Sequence, residues 1–158
     1  MFVFTDGAAS SNGQRSCKAS YGVFAPELEK SRYNGRVLKN PSNQRAELMG
    51  ICRALEILKE NAVTEATIVT DSQYGISCLT SWSMSWKRNG WKTTKGLPVK
   101  HSDLIRCALD LLKESPSVKL QHIRSHQPRP SRSSADFHLW EGNRMADELA
   151  SLVISDRG

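Results

Sequence analysis

The chain has no long apolar run. Its strongest stretches, Met1–Phe4 and Leu152–Ile154, are a few residues each, whereas a membrane-crossing helix needs about 20. No membrane association is expected. Nor does a basic lead precede the first apolar stretch, which argues against a signal peptide. There is no C-x-x-C pair: Cys17, Cys52, Cys78 and Cys107 are scattered. Such spacing fits free thiols in a reducing compartment, cytoplasm or nucleus, and not a secreted disulfide scaffold. His122 and His126 lie four apart, yet without a cysteine pair they make no zinc signature. Finally, no acidic residue occurs from Ser72 to Ser102, although Lys87, Arg88, Lys92, Lys95 and Lys100 do.

What is present fits one globular domain. The 158 residues are 39% hydrophobic and 24% charged, with net charge +6. That is enough apolar matter for a core, and too ordinary a composition for disorder. The basic balance favours a polyanionic partner. No internal repeat or dividing linker is visible.

Met1–Asp6 alternates aromatic and β-branched residues and reads as a strand, with Gly7 marking a turn. Ser20–Phe24 and Tyr33–Leu38 read as two more strands of an antiparallel meander. Pro41-Ser42-Asn43 opens a helix whose stripe, Leu48, Ile51, Cys52, Leu55 and Leu58, runs on to Asn61. Ala66–Thr70 is an isolated β-branched strand, and Ser72 caps the helix after it. Three tryptophans, Trp82, Trp86 and Trp91, punctuate the basic tract up to Lys100. A helix from Ser102 and a strand over Val118–Ile123 follow. Gln127–Gly142 is a polar loop, and Asn143–Ile154 a last helix. The order β-β-β-α-β-α-α-β-α predicts a mixed sheet flanked by helices.

Four acids stand out. Asp6 and Asp71 end strands; Glu47 and Asp147 lie among apolar residues on helices. Asp is poor in strand and helix interiors. Each alone has an ordinary explanation: turn chemistry for Asp6, a helix-start acid for Asp71, a dipole partner for Glu47, a surface acid for Asp147. If strands one and four are neighbours, Asp6 and Asp71 emerge side by side. Clustered carboxylates repel unless a cation neutralises them, and oxygen-only ligands favour Mg²⁺ or Mn²⁺.

The blocks FTDGA (Phe4–Ala8), NQRAELMG (Asn43–Gly50), TDSQYG (Thr70–Gly75), WKRNGWK (Trp86–Lys92), PVKHSDL (Pro98–Leu104) and GNRMADELA (Gly142–Ala150) together resemble type 1 ribonuclease H, in its bacterial form with a basic handle. The resemblance spans nearly the whole chain. It implies a ribonuclease H-like α/β fold, a five-stranded mixed sheet of order 3-2-1-4-5 flanked by helices. The implied activity is endonucleolytic hydrolysis of the RNA strand of RNA–DNA hybrids, leaving 5′-phosphate and 3′-hydroxyl ends. Asp6, Glu47, Asp71 and Asp147 match the family's metal-binding carboxylates, which hold two Mg²⁺ with substrate, Mn²⁺ being an alternative. One ion would activate water and the other would stabilise the leaving 3′-oxygen. His126 matches the loop histidine that assists proton transfer or product release. Asn12, Asn43 and Gln73 match amides that read the minor groove, where the 2′-hydroxyl separates RNA from DNA. Trp86, Lys87, Arg88, Trp91 and Lys92 match the handle, its cations binding phosphate and its indoles packing. The implied partner is the hybrid duplex and the implied state a monomer.

Three departures qualify the match. The DNA-phosphate pocket reads Asn40, Ser42 and His101 where the family commonly has arginine, a hydroxyl residue and asparagine. The loop Gln127–Gly142 is longer than usual, and its Arg129, Arg132, Phe137, His138 and Trp140 suit a clamp or lid near His126. The first strand begins at residue 1, so residues 1–158 are expected to form a single domain with no N-terminal hybrid-binding domain. Two alternatives stay open. One is another nuclease of this fold, although proofreading exonucleases carry Asp-x-Glu where this chain has Asp6 and Ala8. The other is a non-catalytic nucleic-acid-binding module.

Overall fold

The computed structural model describes residues 1–155; positions 156–158 of the expected domain lie outside them. Three strands come first: β1 (Phe2–Ser10), β2 (Lys18–Phe24) and β3 (Arg32–Val37). They pair antiparallel as the predicted meander. Then come α1 (Asn43–Glu60), β4 (Ala66–Thr70), α2 (Gln73–Leu79), α3 (Ser83–Arg88), α4 (Ser102–Glu114), β5 (Val118–His122) and α5 (Phe137–Ser155). β4 lies parallel to β1 and β5 parallel to β4, which gives the mixed order 3-2-1-4-5.

Strand alternation divides the core between the two faces. On one face Val3, Val23 and Ile68 pack with Leu48, Ile51, Leu55 and Ile105, so α1 and α4 cover that side. On the other, Phe4 and Val69 pack with Ala146 of α5. Ser42 starts α1 as its N-cap, its Oγ accepting from the Arg45 N–H at 3.1 Å. Ser72 does the same for α2, accepting from Gly75 N–H at 3.0 Å. Each cap satisfies an amide the first turn would leave open.

Three expectations need correction. Gly7 is not a turn, and Asp6 does not end its strand: β1 continues to Ser10, with Asp6 opposite Gly22 and Gly7 opposite Tyr21. The glycine is needed for close approach. A Cβ there would lie 2.6 Å from the Glu47 nitrogen, so its absence lets α1 settle on the sheet. Second, the final helix begins at Phe137 rather than Asn143, which shortens the polar loop to 127–136. Phe137 and Trp140 pack across one turn, and Gly142 sits flush on the Phe4 ring, so docking extends a helix that composition would have stopped. Third, the basic tract holds a short extra helix, α3.

Gly22 is the matching close approach on the α5 side. A Cβ there would overlap the Ala146 carbonyl oxygen and come within 2.7 Å of the Ala150 nitrogen. Ser20 adds a hydrogen bond from its hydroxyl to the Ala150 carbonyl. Gly22→Ala must push α5 off the sheet. The expected cost is about 1–3 kcal/mol, or a fall in Tm of about 2–12 °C for a domain of this size. Thermal unfolding by circular dichroism checks it; an unchanged midpoint would show that α5 is not seated on β2.

Candidate active site

The site is built where β1 and β4 run side by side at the middle of the sheet. Thr5 is opposite Thr70, so Asp6 and Asp71, the next residues, come together as neighbours. Asp71 follows the last residue of β4. Glu47 arrives from α1, which the Ser42 cap and the bare Cα of Gly7 position. One carboxylate oxygen from each of Asp6, Glu47 and Asp71 lies within 4.8 Å of the others.

Two of the three acids are buried and Asp71 is half-buried. Asp6 is 5% exposed and Glu47 6%. Asp6 Oδ1 accepts the Gly7 N–H at 2.8 Å, but Glu47 Oε2 is buried with no hydrogen-bond partner among the described residues. Among the described residues no lysine or arginine pairs with any of the three. Burial, then the charges of Glu47 and Asp71, push the Asp6 carboxyl well above the ordinary range. Burial and Asp71 raise Glu47, and burial raises Asp71. His126 and His122 act on Asp71 in the opposite sense. A divalent cation would reverse the repulsion and give the orphaned Glu47 oxygen a partner. An oxygen-only donor set suits a hard cation. The residues present therefore fit a resident metal.

Asp147 is exposed on α5 and lies outside the three-oxygen group, though it lines the same cleft and its charge also raises Glu47. The cleft has a volume of about 640 Å³; Asn43, Gln73, His126 and Trp140 line it along with the four acids. His126 stands on the rim in a left-handed backbone conformation, φ 55°. Asn12 is at the β1–β2 connection and reaches the start of α1, its Oδ1 accepting the Asn43 N–H at 3.0 Å. Gln73 Nε2 donates to Ser77 Oγ at 3.2 Å.

A second hollow of about 430 Å³ brings Asn40, Ser42 and His101 together, the three residues the family resemblance grouped. Asn40 and His101 both adopt positive φ, 47° and 61°. Beneath them lies a feature the sequence reading missed. Arg45 is 3% exposed and holds Asp103 bidentately, Nη1 to Oδ1 at 3.0 Å and Nη2 to Oδ2 at 2.6 Å. That hydrogen bonding draws the Asp103 carboxyl down to about 2. Arg45 Nη1 also lies 3.3 Å from His101 Nδ1. Burial, then the Arg45 charge, lowers the His101 pKa, so the imidazole is neutral and Nδ1 accepts. Arg45 and Asp103 are 58 residues apart, and no local pattern announces the pair.

The handle forms its own unit. Tyr74, Trp82, Trp86 and Trp91 pack in sequence, the first pair edge to face and the next two tilted, at centroid spacings of 6.0, 5.8 and 6.4 Å, and Arg106 lies over Trp91 at 5.0 Å. Lys87 and Arg88 end α3, and Lys92 bridges Pro98. None of Trp86, Lys87, Arg88, Trp91 and Lys92 lines the cleft. Trp140, expected in a clamp near His126, does line it, and so does Asn143, which was missed; Asn143 is one helical turn before Asp147, which is the signal that would have found it.

A 3-2-1-4-5 sheet whose central strands present a hard-cation carboxylate site defines a ribonuclease H-like domain. The RNase H family pattern matches residues 1–155. The chain belongs to the RNase H family. It is 38% identical over 154 residues to Ribonuclease H of Pseudomonas savastanoi pv. phaseolicola, covering 98% of this chain and 92% of that protein. It is 32% identical over 147 residues to Ribonuclease H1 of Homo sapiens, covering 92% of this chain and 51% of that one. The chain thus spans about half the length of the human relative. The solution structure of the PFV RNase H domain superposes with a TM-score of 0.71 at 26% identity, covering 96% of this chain and 92% of that one. Among the described residues no helix is long and apolar enough to cross a membrane.

Proposed function

We propose that this chain hydrolyses the RNA strand of RNA–DNA hybrids endonucleolytically, leaving 5′-phosphate and 3′-hydroxyl ends. The observation that carries this reading is the Asp6–Glu47–Asp71 cluster, two of its acids buried, which among the described residues has no lysine or arginine partner and lines a cleft in an RNase H-family chain. Asp6, Glu47 and Asp71 hold the metal, Mg²⁺ or Mn²⁺, and Asp147 adds a carboxylate from the wall. When bound, such ions supply Lewis acidity, and a pair of them suits in-line phosphodiester displacement. Hydrolysis adds the elements of water across the P–O3′ bond, and the departing 3′-oxygen takes a proton. His126, which lines the same cleft, passes a proton at its imidazole nitrogen in this reading.

Asn12, Asn43 and Gln73 offer amides to base edges and 2′-hydroxyls in the minor groove. Asn40, Ser42 and His101 take a phosphate of the DNA strand. The neutral, Arg45-held His101 contributes a hydrogen bond there rather than a charge. Trp86, Lys87, Arg88, Trp91 and Lys92 add the handle's contacts, the indoles packing on one another and the exposed cations meeting phosphate. The described residues act as one domain and as a monomer. The four unpaired cysteines support a reducing compartment, cytoplasm or nucleus.

The test is cleavage of one labelled strand in matched RNA–DNA, RNA–RNA and DNA–DNA duplexes, with Mg²⁺, with Mn²⁺ and with chelator. Internal cuts confined to the RNA of the hybrid, and abolished by chelator, are expected. Tight hybrid binding without cuts under either metal would convert the reading to a binding module, and cuts in DNA duplexes would overturn the substrate.

A further inference from the structure

The connection between β5 and α5 carries a cluster that the mechanism above does not use. Phe137 and Trp140 pack with tilted rings, centroids 5.8 Å apart, on the first turns of α5. The Arg129 guanidinium lies over both rings, at 5.6 Å from Phe137 and 5.9 Å from Trp140. Arg132 covers Phe137 and Arg144 covers Trp140, each at 5.9 Å. Trp140 Nε1 donates to the Gln127 carbonyl at 3.0 Å, which ties the loop beside His126 to the helix. Gln127, Trp140 and Arg144 also line the acidic cleft, so the cluster is continuous with its wall.

The charge here is unspent. Arg144 pairs with Glu148 at 3.2 Å, but among the described residues neither Arg129 nor Arg132 has a carboxylate within 4.0 Å. Both are exposed. A guanidinium stacked on an aromatic ring uses its face and keeps its in-plane N–H donors free. Those donors form a fork that matches phosphate oxygens, and stacking has already restricted the side chain, so less entropy is lost on binding. α5 covers the sheet face opposite α1 and α4, while the handle indoles pack on the α1–α4 side. The two basic surfaces therefore lie on opposite faces of the sheet, and the loop cluster is the one that adjoins the cleft.

We propose that Arg129 and Arg132, mounted on Phe137 and Trp140, form a second phosphate-backbone contact for the hybrid in the cleft. The contact reads charge and not sequence, and it lengthens the duplex footprint beyond the handle. It rests on the hybrid being the substrate. Its occupant is the nucleic-acid backbone.

The test is hybrid binding as a function of salt, in the full chain carrying Asp71→Asn so that the duplex survives, with Mg²⁺ present. Adding Arg129→Gln and Arg132→Gln should lower the slope of log K against log salt by about 2 and weaken binding about 10- to 30-fold at 0.15 M salt, as loss of two phosphate contacts requires. Arg129→Lys with Arg132→Lys keeps the charges and should keep most of the slope. Arg32→Gln with Arg36→Gln removes the same charge from exposed positions on β3 at one edge of the sheet, and should change the slope by much less. An unchanged slope in the glutamine variant overturns the proposal and leaves the cluster as a loop staple, or as a site for an acidic protein. So does an equal change in the β3 control, which would mean only net charge was measured. If the parent chain neither binds nor cuts the hybrid, the substrate reading fails first, and the two failures are distinguishable.

Discussion

Asp71→Asn is expected to reduce cleavage of the hybrid about a thousandfold, and Glu47→Gln by a similar factor. The reason is the geometry of the three oxygens. Asp6, Glu47 and Asp71 converge within 4.8 Å, so removing one negative charge removes a ligand no neighbour replaces. Metal stabilisation of a phosphoryl transition state is worth several kcal/mol, and about 4 kcal/mol is three powers of ten in rate. Asp147→Asn should be milder, because Asp147 is exposed and outside that group. Initial rates at several Mg²⁺ concentrations check this. If excess Mg²⁺ restored the full rate to Asp71→Asn, the residue would be only a binding ligand; an unchanged rate at every concentration would remove it from the site.

Without metal, the same cluster should make the folded chain less stable as pH rises. Burial and mutual repulsion push Glu47 up to about 8 and raise Asp6 and Asp71 as well. In the unfolded chain these groups lose their protons near the ordinary carboxylate range. Between about pH 4.5 and 8 the native state therefore holds protons that the unfolded state has released, and stability falls with pH across that window. One such proton is worth about 1.4 kcal/mol per pH unit, or about 3–5 °C in Tm. Mg²⁺ at a hundredfold excess over its dissociation constant should add about 2.7 kcal/mol, about 5–10 °C, and should flatten the pH dependence. Glu47→Gln should raise Tm in chelator and lose most of the Mg²⁺ effect. Scanning calorimetry at pH 5 and 8, with chelator and with Mg²⁺, decides it; a Tm that rises with pH in chelator would show that the acids are already compensated.

Much of this is legible in the sequence. β-branched Thr67–Thr70 has few ways to fold other than as a buried strand, and Asp71 after it is conspicuous for that reason. Ser42 and Ser72 announced their helices through capping chemistry, which is local. Gly7 was misread because a glycine that admits a helix and one that makes a turn look the same in one sequence; the contact that separates them lies with Ala46 and Glu47. The start of α5 was misread because Ser, Pro and Gly142 signal a loop, and the contrary evidence is the Phe4 ring more than 130 residues away. Arg45 and Asp103 have no signature at all, since a pair joined across α1 and α4 depends on how those helices cross.

The cleft is assembled from both ends of the chain. Asp6, Glu47 and Asp71 are all made within the first half, but the wall that carries Asn143, Arg144 and Asp147 belongs to the last helix. That helix also covers Phe4 and Val69 and inserts its backbone against Gly22. During synthesis on the ribosome, the three inner acids are therefore complete long before the cleft is. A nascent chain cannot complete the cleft wall until α5 has left the exit tunnel and docked. Formation of the site therefore follows synthesis of α5, and a chain truncated before residue 137 would carry the inner acids on a sheet with one bare greasy face.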